Sequence, residues 1–76
     1  MTTLAAVVAE ARARFAAGGL PDAAIESRIL IGGLLGLTST QVFTGGDRVL
    51  TDEESALIEK AVDRRLKREP VQQEHL

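Results

Sequence analysis

Glycine pairs and a late proline divide this chain into four segments, and each segment spaces its apolar residues as a helix does. Glycine ends helices because it adopts the left-handed conformation at no steric cost, and proline cannot continue a helix. The interruptions stand at Gly18-Gly19, Gly36, Gly45-Gly46 and Pro70. No stretch alternates apolar and polar residues as a half-buried strand does. We therefore predict an all-α fold, a compact bundle of four to five short helices, with no sheet.

The first two segments carry most of the aliphatic residues. In residues 3–17 the apolar positions follow one helical stripe, Thr2 or Thr3 is placed to cap the start, and Glu10 and Arg14 are spaced to pair. The second segment begins near Pro21, which suits a first helical turn. It is apolar on more than one side, so we predict a central helix with neighbours on both flanks. Gly32-Gly33 within it predicts the close approach of another helix.

The third and fourth segments each start with a capping box, in which a threonine is followed three residues later by Gln or Glu. Thr38 precedes Gln41 in this way, and Thr51 precedes Glu54. The acids after Thr51 also lie where the positive end of the helix dipole favours them, so we prefer capping to metal binding for them. Pro70 predicts the end of the last helix.

Length and composition bound the functions that are possible. A chain of 76 residues is one domain at most, and it has little stability to spare for deep pockets. The net charge of −2 argues against direct nucleic-acid binding, whose footprint is a basic stripe. No apolar run is long enough to cross a membrane, and the first residues do not resemble a signal peptide. The absence of cysteine fits a cytoplasmic location.

The residues that usually carry chemistry are missing. The chain has no cysteine, and its one histidine, His75, stands one residue from the end, where we expect a tail. The glycine pairs lack the Gly-Lys-Ser/Thr ending of a phosphate loop, so we interpret them as helix stops and a packing notch. We predict no catalytic, cofactor-binding or metal-ligating residue in this chain.

Two features leave functional alternatives open. The cluster Arg64, Arg65, Lys67 and Arg68 is either a solvated face that complements the helix dipole, with Asp63 and Lys67 paired, or a contact surface for an acidic partner or a neighbouring domain. Ser27 invites comparison with acyl carrier proteins, which carry a modified serine at the start of a helix. Here the serine lies inside the predicted helix, in the setting Glu26-Ser27-Arg28.

The end of the chain resembles a known family. Paired arginines late in a helix, followed by Glu69-Pro70 and an aliphatic residue, are similar to the end of the N-terminal domain of the HemK (PrmC) protein-glutamine methyltransferases. Pro21-Asp22 before an aliphatic run resembles that domain's second helix, and Leu50 to Glu54 resembles the entry to its last long helix. The resemblance covers about residues 4 to 72. The chain departs from the pattern after Gln72, where the family continues differently.

The resemblance implies a function for a longer protein. These enzymes use S-adenosylmethionine to methylate the glutamine of the Gly-Gly-Gln motif of peptide chain release factors, and their helical N-terminal domain precedes a catalytic domain that is not part of this chain. Residues 1–70 would form the substrate-recognition domain, and residues 71–76 the start of a linker or a tail. This chain alone would not be the enzyme and would hold no cofactor.

The partners implied are a release factor and the protein's own catalytic domain. The resemblance places the candidate contacts with a partner or with that domain at Arg64, Arg65, Arg68, Glu69 and Pro70, which we expect to serve the domain junction more than the substrate. Two alternatives stay open, a stand-alone helical interaction module and an acyl-carrier-like protein.

Overall fold

The computed structural model describes the backbone of residues 2–74 and the side chains of residues 2–67. Within these residues the chain forms four helices and one pair of very short strands. In chain order they are β1 (Thr2–Thr3), α1 (Leu4–Ala17), α2 (Ala23–Leu35), α3 (Ser39–Thr44), β2 (Val49–Leu50) and α4 (Asp52–Glu74). The predicted all-α bundle is confirmed.

Hydroxyl caps start three of the helices, as the sequence predicts. Thr3 caps α1 by accepting a hydrogen bond from the Ala6 backbone N–H at 3.3 Å. Thr38 and Gln41 form a complete capping box at α3. At α4 the Glu54 backbone N–H donates to Thr51 Oγ1, and the Thr51 backbone N–H donates to Glu54 Oε1, both at 3.0 Å. These bonds satisfy donors that the first helical turn leaves without partners.

The start of α2 differs from the prediction. The helix begins at Ala23, so Pro21 lies in the preceding turn and not in the first helical turn. Asp22 precedes the helix in a left-handed conformation, with φ of 55° and no side-chain capping bond. At the other end Gly36 is left-handed at φ 73° and closes the helix as predicted.

The hydrophobic core lies between α1, α2 and α4, with one residue contributed by α3. Its fully buried side chains include Leu4 and Phe15 of α1, Ile31 of α2 and Ile58 of α4, while Val42 supplies the contribution of α3. Both α1 and α2 contact each of the other three helices. The central position predicted for α2 is therefore occupied by α1 and α2 together. Small aliphatic contacts around one phenylalanine therefore build the core.

The small sheet was not predicted, and that expectation was wrong. Thr2 pairs with Leu50 and Thr3 with Val49, in antiparallel register. Strands of two residues are too short to show alternation. The pairing continues into α1, because the N–H groups of Leu4 and Ala5 donate to the carbonyls of Arg48 and Gly46 at 2.8 and 3.0 Å. Loop carbonyls thus satisfy N–H groups at the start of the helix that no helical turn reaches.

The predicted end of α4 at Pro70 was also wrong, since the helix continues through this residue to Glu74. Proline has no N–H, so the carbonyl of Leu66 loses its helical donor, and an interior proline costs about 3 kcal/mol or more.

Among the described side chains, two ion pairs join different helices, and a third joins Arg48, just before β2, to Glu54 of α4. Arg14 of α1 pairs with Asp63 of α4, so the predicted Glu10–Arg14 and Asp63–Lys67 pairs do not form. The hydrogen bond to Asp63 raises the pKa of Arg14. Arg65 of α4 bonds Glu26 of α2 at 2.7 Å. Exposed pairs of this kind contribute little to stability, because both charges remain solvated.

The cap of α4 predicts a pH effect. The Thr51 backbone N–H, and then Arg48, hold the pKa of Glu54 below its usual 4.5. A lowered pKa means that this group stabilises the fold above pH 4.5, and that the contribution disappears as the pH falls through the lower folded value.

We therefore expect Glu54→Gln, which keeps a capping acceptor but removes the charge, to be less stable than the wild type near neutral pH. The difference should shrink in acid. Urea unfolding of both chains at about pH 6.5 and about pH 3.5 measures it. A difference that stays constant between these pH values would show that the Glu54 charge contributes nothing.

Candidate functional site

The arginine cluster of α4 contains one residue that makes a contact within the domain and two residues that are exposed. Arg65 Nη2 lies 2.7 Å from Glu26 Oε1 and joins α4 to α2, so a domain-internal bond occupies its charge. Arg64 and Lys67 are exposed. The side chains of Arg68, Glu69 and Pro70 lie outside the described residues. A contact role for the cluster stays a prediction. Within the cluster, Arg65 already forms a contact inside the domain.

The alternative explanation of the cluster had two parts: the complement to the helix dipole was wrong, while the exposure of Arg64 and Lys67 agrees with a solvated face. The dipole acts on charges within the last turn of a helix. Because α4 extends to Glu74, its last turn contains no basic residue, and Arg64 to Arg68 lie further back. The positive charges of Arg64 and Lys67 therefore have no stabilising function at the helix end.

A second candidate surface joins α2 and α3. Ile25 and Ile29 are 49% and 57% exposed, and Phe43 is 74% exposed. Ile25 and Ile29 are four residues apart and so share one side of α2, and Arg28 is three residues after Ile25. The Arg28 guanidinium carbon lies 6.0 Å from the centre of the Phe43 ring. We call these four residues, Ile25, Arg28, Ile29 and Phe43, the α2–α3 face.

Sequence reasoning misread the two isoleucines of this face. The apolar character of α2 on more than one side predicted neighbours on both flanks, and α1, α3 and α4 do contact it. Ile25 and Ile29 nevertheless stay about half exposed. The sequence pattern did not show which apolar side chains of α2 stay exposed in the folded domain. Phe43 gave a similar signal, as an aromatic residue in a short polar segment.

The charge on this face is positive and lacks an internal partner. Arg28 forms no ion pair with any residue whose side chain the structure describes. Helix α3 beside it contains no charged residue. Next to the ring, Arg28 and Phe43 border an open depression of about 310 Å³ together with Ser39 and Thr40. The face thus offers apolar area and one cation, and the depression beside it adds two hydroxyls.

A small cleft between α1 and α4 has a different character. Its volume is about 150 Å³, and its apolar lining includes Val7, Ala11 and Ile58. Glu10 and Glu59 also border it, and Arg14 beside them is already paired with Asp63. Ligand pockets commonly measure about 300–1,000 Å³, so this cleft is of side-chain size.

The structure removes the carrier-protein alternative. Ser27 is fully buried, and its Oγ donates a hydrogen bond to the Ala24 carbonyl at 2.9 Å. A prosthetic arm needs an exposed hydroxyl, which this position does not provide while the helix is folded. Among the described residues, no three acidic or histidine side chains lie close enough together to hold a metal ion. In the same part of the chain, no helix has the length and apolar character of a membrane span.

Comparison with protein families identifies the domain. The family model of the PrmC N-terminal domain matches residues 6–73. No curated protein and no solved structure matches the chain significantly. The matched range takes in α2, α3 and β2 and nearly all of α1 and α4, so it covers almost all of the helical bundle. This match shows that the chain belongs to the PrmC N-terminal domain family, and the helical bundle is the fold that the sequence resemblance implied.

Proposed function

We propose that this chain is the release-factor-recognition domain of an S-adenosylmethionine-dependent protein-glutamine N5-methyltransferase, acting in translation termination in the cytoplasm. The observation that carries the proposal is the family match over residues 6–73. S-adenosylmethionine supplies the methyl group in the catalytic domain of the parent enzyme. The part played by this chain is to bind and orient the protein substrate.

The architecture suits that role. A rigid domain that binds one part of a protein substrate raises the effective concentration of another part at a tethered active site. Such a domain needs an exposed contact surface and a stable core, and this chain has both. The α2–α3 face supplies exposed apolar area, while Phe15 and Ile31 are fully buried.

The α4 cluster fits the junction with the catalytic domain. Arg65 is bonded to Glu26, which ties the middle of α4 to the bundle. Arg64 and Lys67 are exposed one turn or less from the segment that carries Arg68, Glu69 and Pro70. We include these residues in the proposal as the region that holds the two domains together.

The test is to delete residues 1–70 from the full-length enzyme and to measure kcat/KM on two substrates. With intact release factor we expect a fall of at least about tenfold, because binding energy remote from the reacting glutamine is lost. With a short peptide that contains Gly-Gly-Gln we expect little change, since the peptide does not reach the deleted domain. The peptide is the control for a damaged catalytic domain.

Unchanged kcat/KM on intact release factor would refute the recognition role. An equal loss on both substrates would point instead to a domain that only stabilises the catalytic domain.

A further inference from the structure

We propose that the α2–α3 face is the surface that holds the release factor, and that it binds an apolar segment of that protein carrying a carboxylate opposite Arg28. The proposal rests on the recognition function proposed above and specifies its contact residues and the chemistry of the partner. It assigns the contact to α2 and α3, not to the α4 arginines at the domain junction.

Three large apolar side chains of α2 and α3 are exposed. Ile25, Ile29 and Phe43 are each about half or more exposed. Arg28 follows Ile25 by three residues on α2, and its guanidinium lies beside the Phe43 ring. Aromatic residues and arginine are the side chains that most often dominate binding energy at protein interfaces. A small domain loses solubility by exposing such residues together, so an uncovered cluster of this composition marks an interaction surface.

The charge at this face selects the chemistry of the partner. Arg28 lies among apolar residues and has no carboxylate partner among the described side chains. Covering the isoleucines and the ring would remove water from around this guanidinium, and a buried charge without a counter-charge is costly. A partner that supplies a carboxylate avoids that cost and gains a bidentate hydrogen-bonded pair.

The same charge disfavours a second copy of the chain as the occupant. A twofold dimer through this face would bring the same patch of both copies together, so two Arg28 side chains would approach each other. Like charges in a desolvated interface repel, and α3 offers no acidic residue to separate them. An acidic, apolar segment of another protein meets both requirements of the face.

The test is the affinity of the wild-type chain and four variants for purified release factor, measured by isothermal titration calorimetry. Phe43→Ala removes the exposed ring, and Arg28→Glu reverses the charge. The controls are Val49→Ala, since Val49 is 51% exposed but lies in β2, and Lys60→Glu, which makes the same charge change on an exposed position of α4. Circular dichroism of each variant checks that the helices remain.

We expect Phe43→Ala and Arg28→Glu each to weaken binding by about tenfold or more, as loss of a central contact does. The two controls should stay within about twofold of the wild type, because changes at positions outside the interface have small effects on affinity. Raising the salt concentration should weaken the wild-type complex more than the Arg28→Glu complex, since only the former has the attractive charge pair.

The results separate a failure of the proposed function from a failure of this inference. If the wild-type chain does not bind release factor, the proposed function fails and this inference falls with it. If the wild type binds and the two face variants bind equally well, the function stands and the α2–α3 face is the wrong surface. If sedimentation shows a wild-type dimer that Phe43→Ala dissociates, a second copy occupies the face and the inference is overturned.

Discussion

Replacing Phe15 with alanine should lower the free energy of unfolding by about 3–5 kcal/mol, because Phe15 is the largest fully buried side chain. Phe15 is fully buried in α1 and is one of the two aromatic residues in the protein. Truncation removes its transfer free energy and leaves a cavity that the surrounding helices fill only in part. Domains of this size have a total stability on the order of 4–11 kcal/mol, so the variant would be near its unfolding threshold.

Phe43→Ala is the matched control, because the same atoms are removed from a ring that is 74% exposed. The expected change in unfolding free energy is within about 0.5 kcal/mol, which is typical of surface positions. Urea unfolding followed by circular dichroism at the helical band compares the two variants with the wild type. Equal losses at both positions would contradict the assignment of Phe15 to the core and Phe43 to the surface.

Replacing Gly32 with alanine should destabilise the fold by about 1–3 kcal/mol, although alanine is the better helix former. A Cβ atom at this position would lie 2.6 Å from the Leu37 carbonyl oxygen and 3.3 Å from Val42 Cγ2. The carbonyl cannot move freely, because the Leu37 N–H is itself bonded to the Gly32 carbonyl at 2.8 Å. Any relief must therefore shift the turn between α2 and α3.

Gly33→Ala provides the control within the same helix. A Cβ there would meet no atom within 4 Å, so only the gain in helix propensity remains, and we expect stabilisation by about 0.5–1 kcal/mol. Urea unfolding should thus move the two variants in opposite directions from the wild type. If both variants were stabilised, the backbone of the α2–α3 turn would have to be looser than the structure shows.

The sequence prediction for the pair Gly32-Gly33 was correct for one of the two glycines. The prediction that Gly32-Gly33 permits a close approach is correct for Gly32, but the approaching group is the carbonyl of Leu37 with α3 behind it. Gly33 faces open space. The sequence does not show which of two adjacent glycines faces a neighbouring element, because that depends on how α2 is rotated about its axis in the folded domain.

The candidate functional residues were also predicted only in part. The arginines of α4 were predicted from a motif, and the structure adds that Arg65 is bonded to Glu26 of another helix. The α2–α3 face was not predicted, because Ile25, Ile29 and Phe43 look like core residues in the sequence. Apolar character alone does not distinguish a residue that this chain buries from one left for a partner.

The sequence by itself determined the helical class, the hydroxyl caps of α1, α3 and α4, and the left-handed stop at Gly36. Each of these depends on residues within a few positions of one another, where backbone sterics and local hydrogen bonds decide. Tertiary structure alone decided the β1–β2 pairing, the ion pairs of Arg14 and Arg65, and the exposure of the α2–α3 face. These depend on which segments lie side by side, and packing of the whole core sets that arrangement.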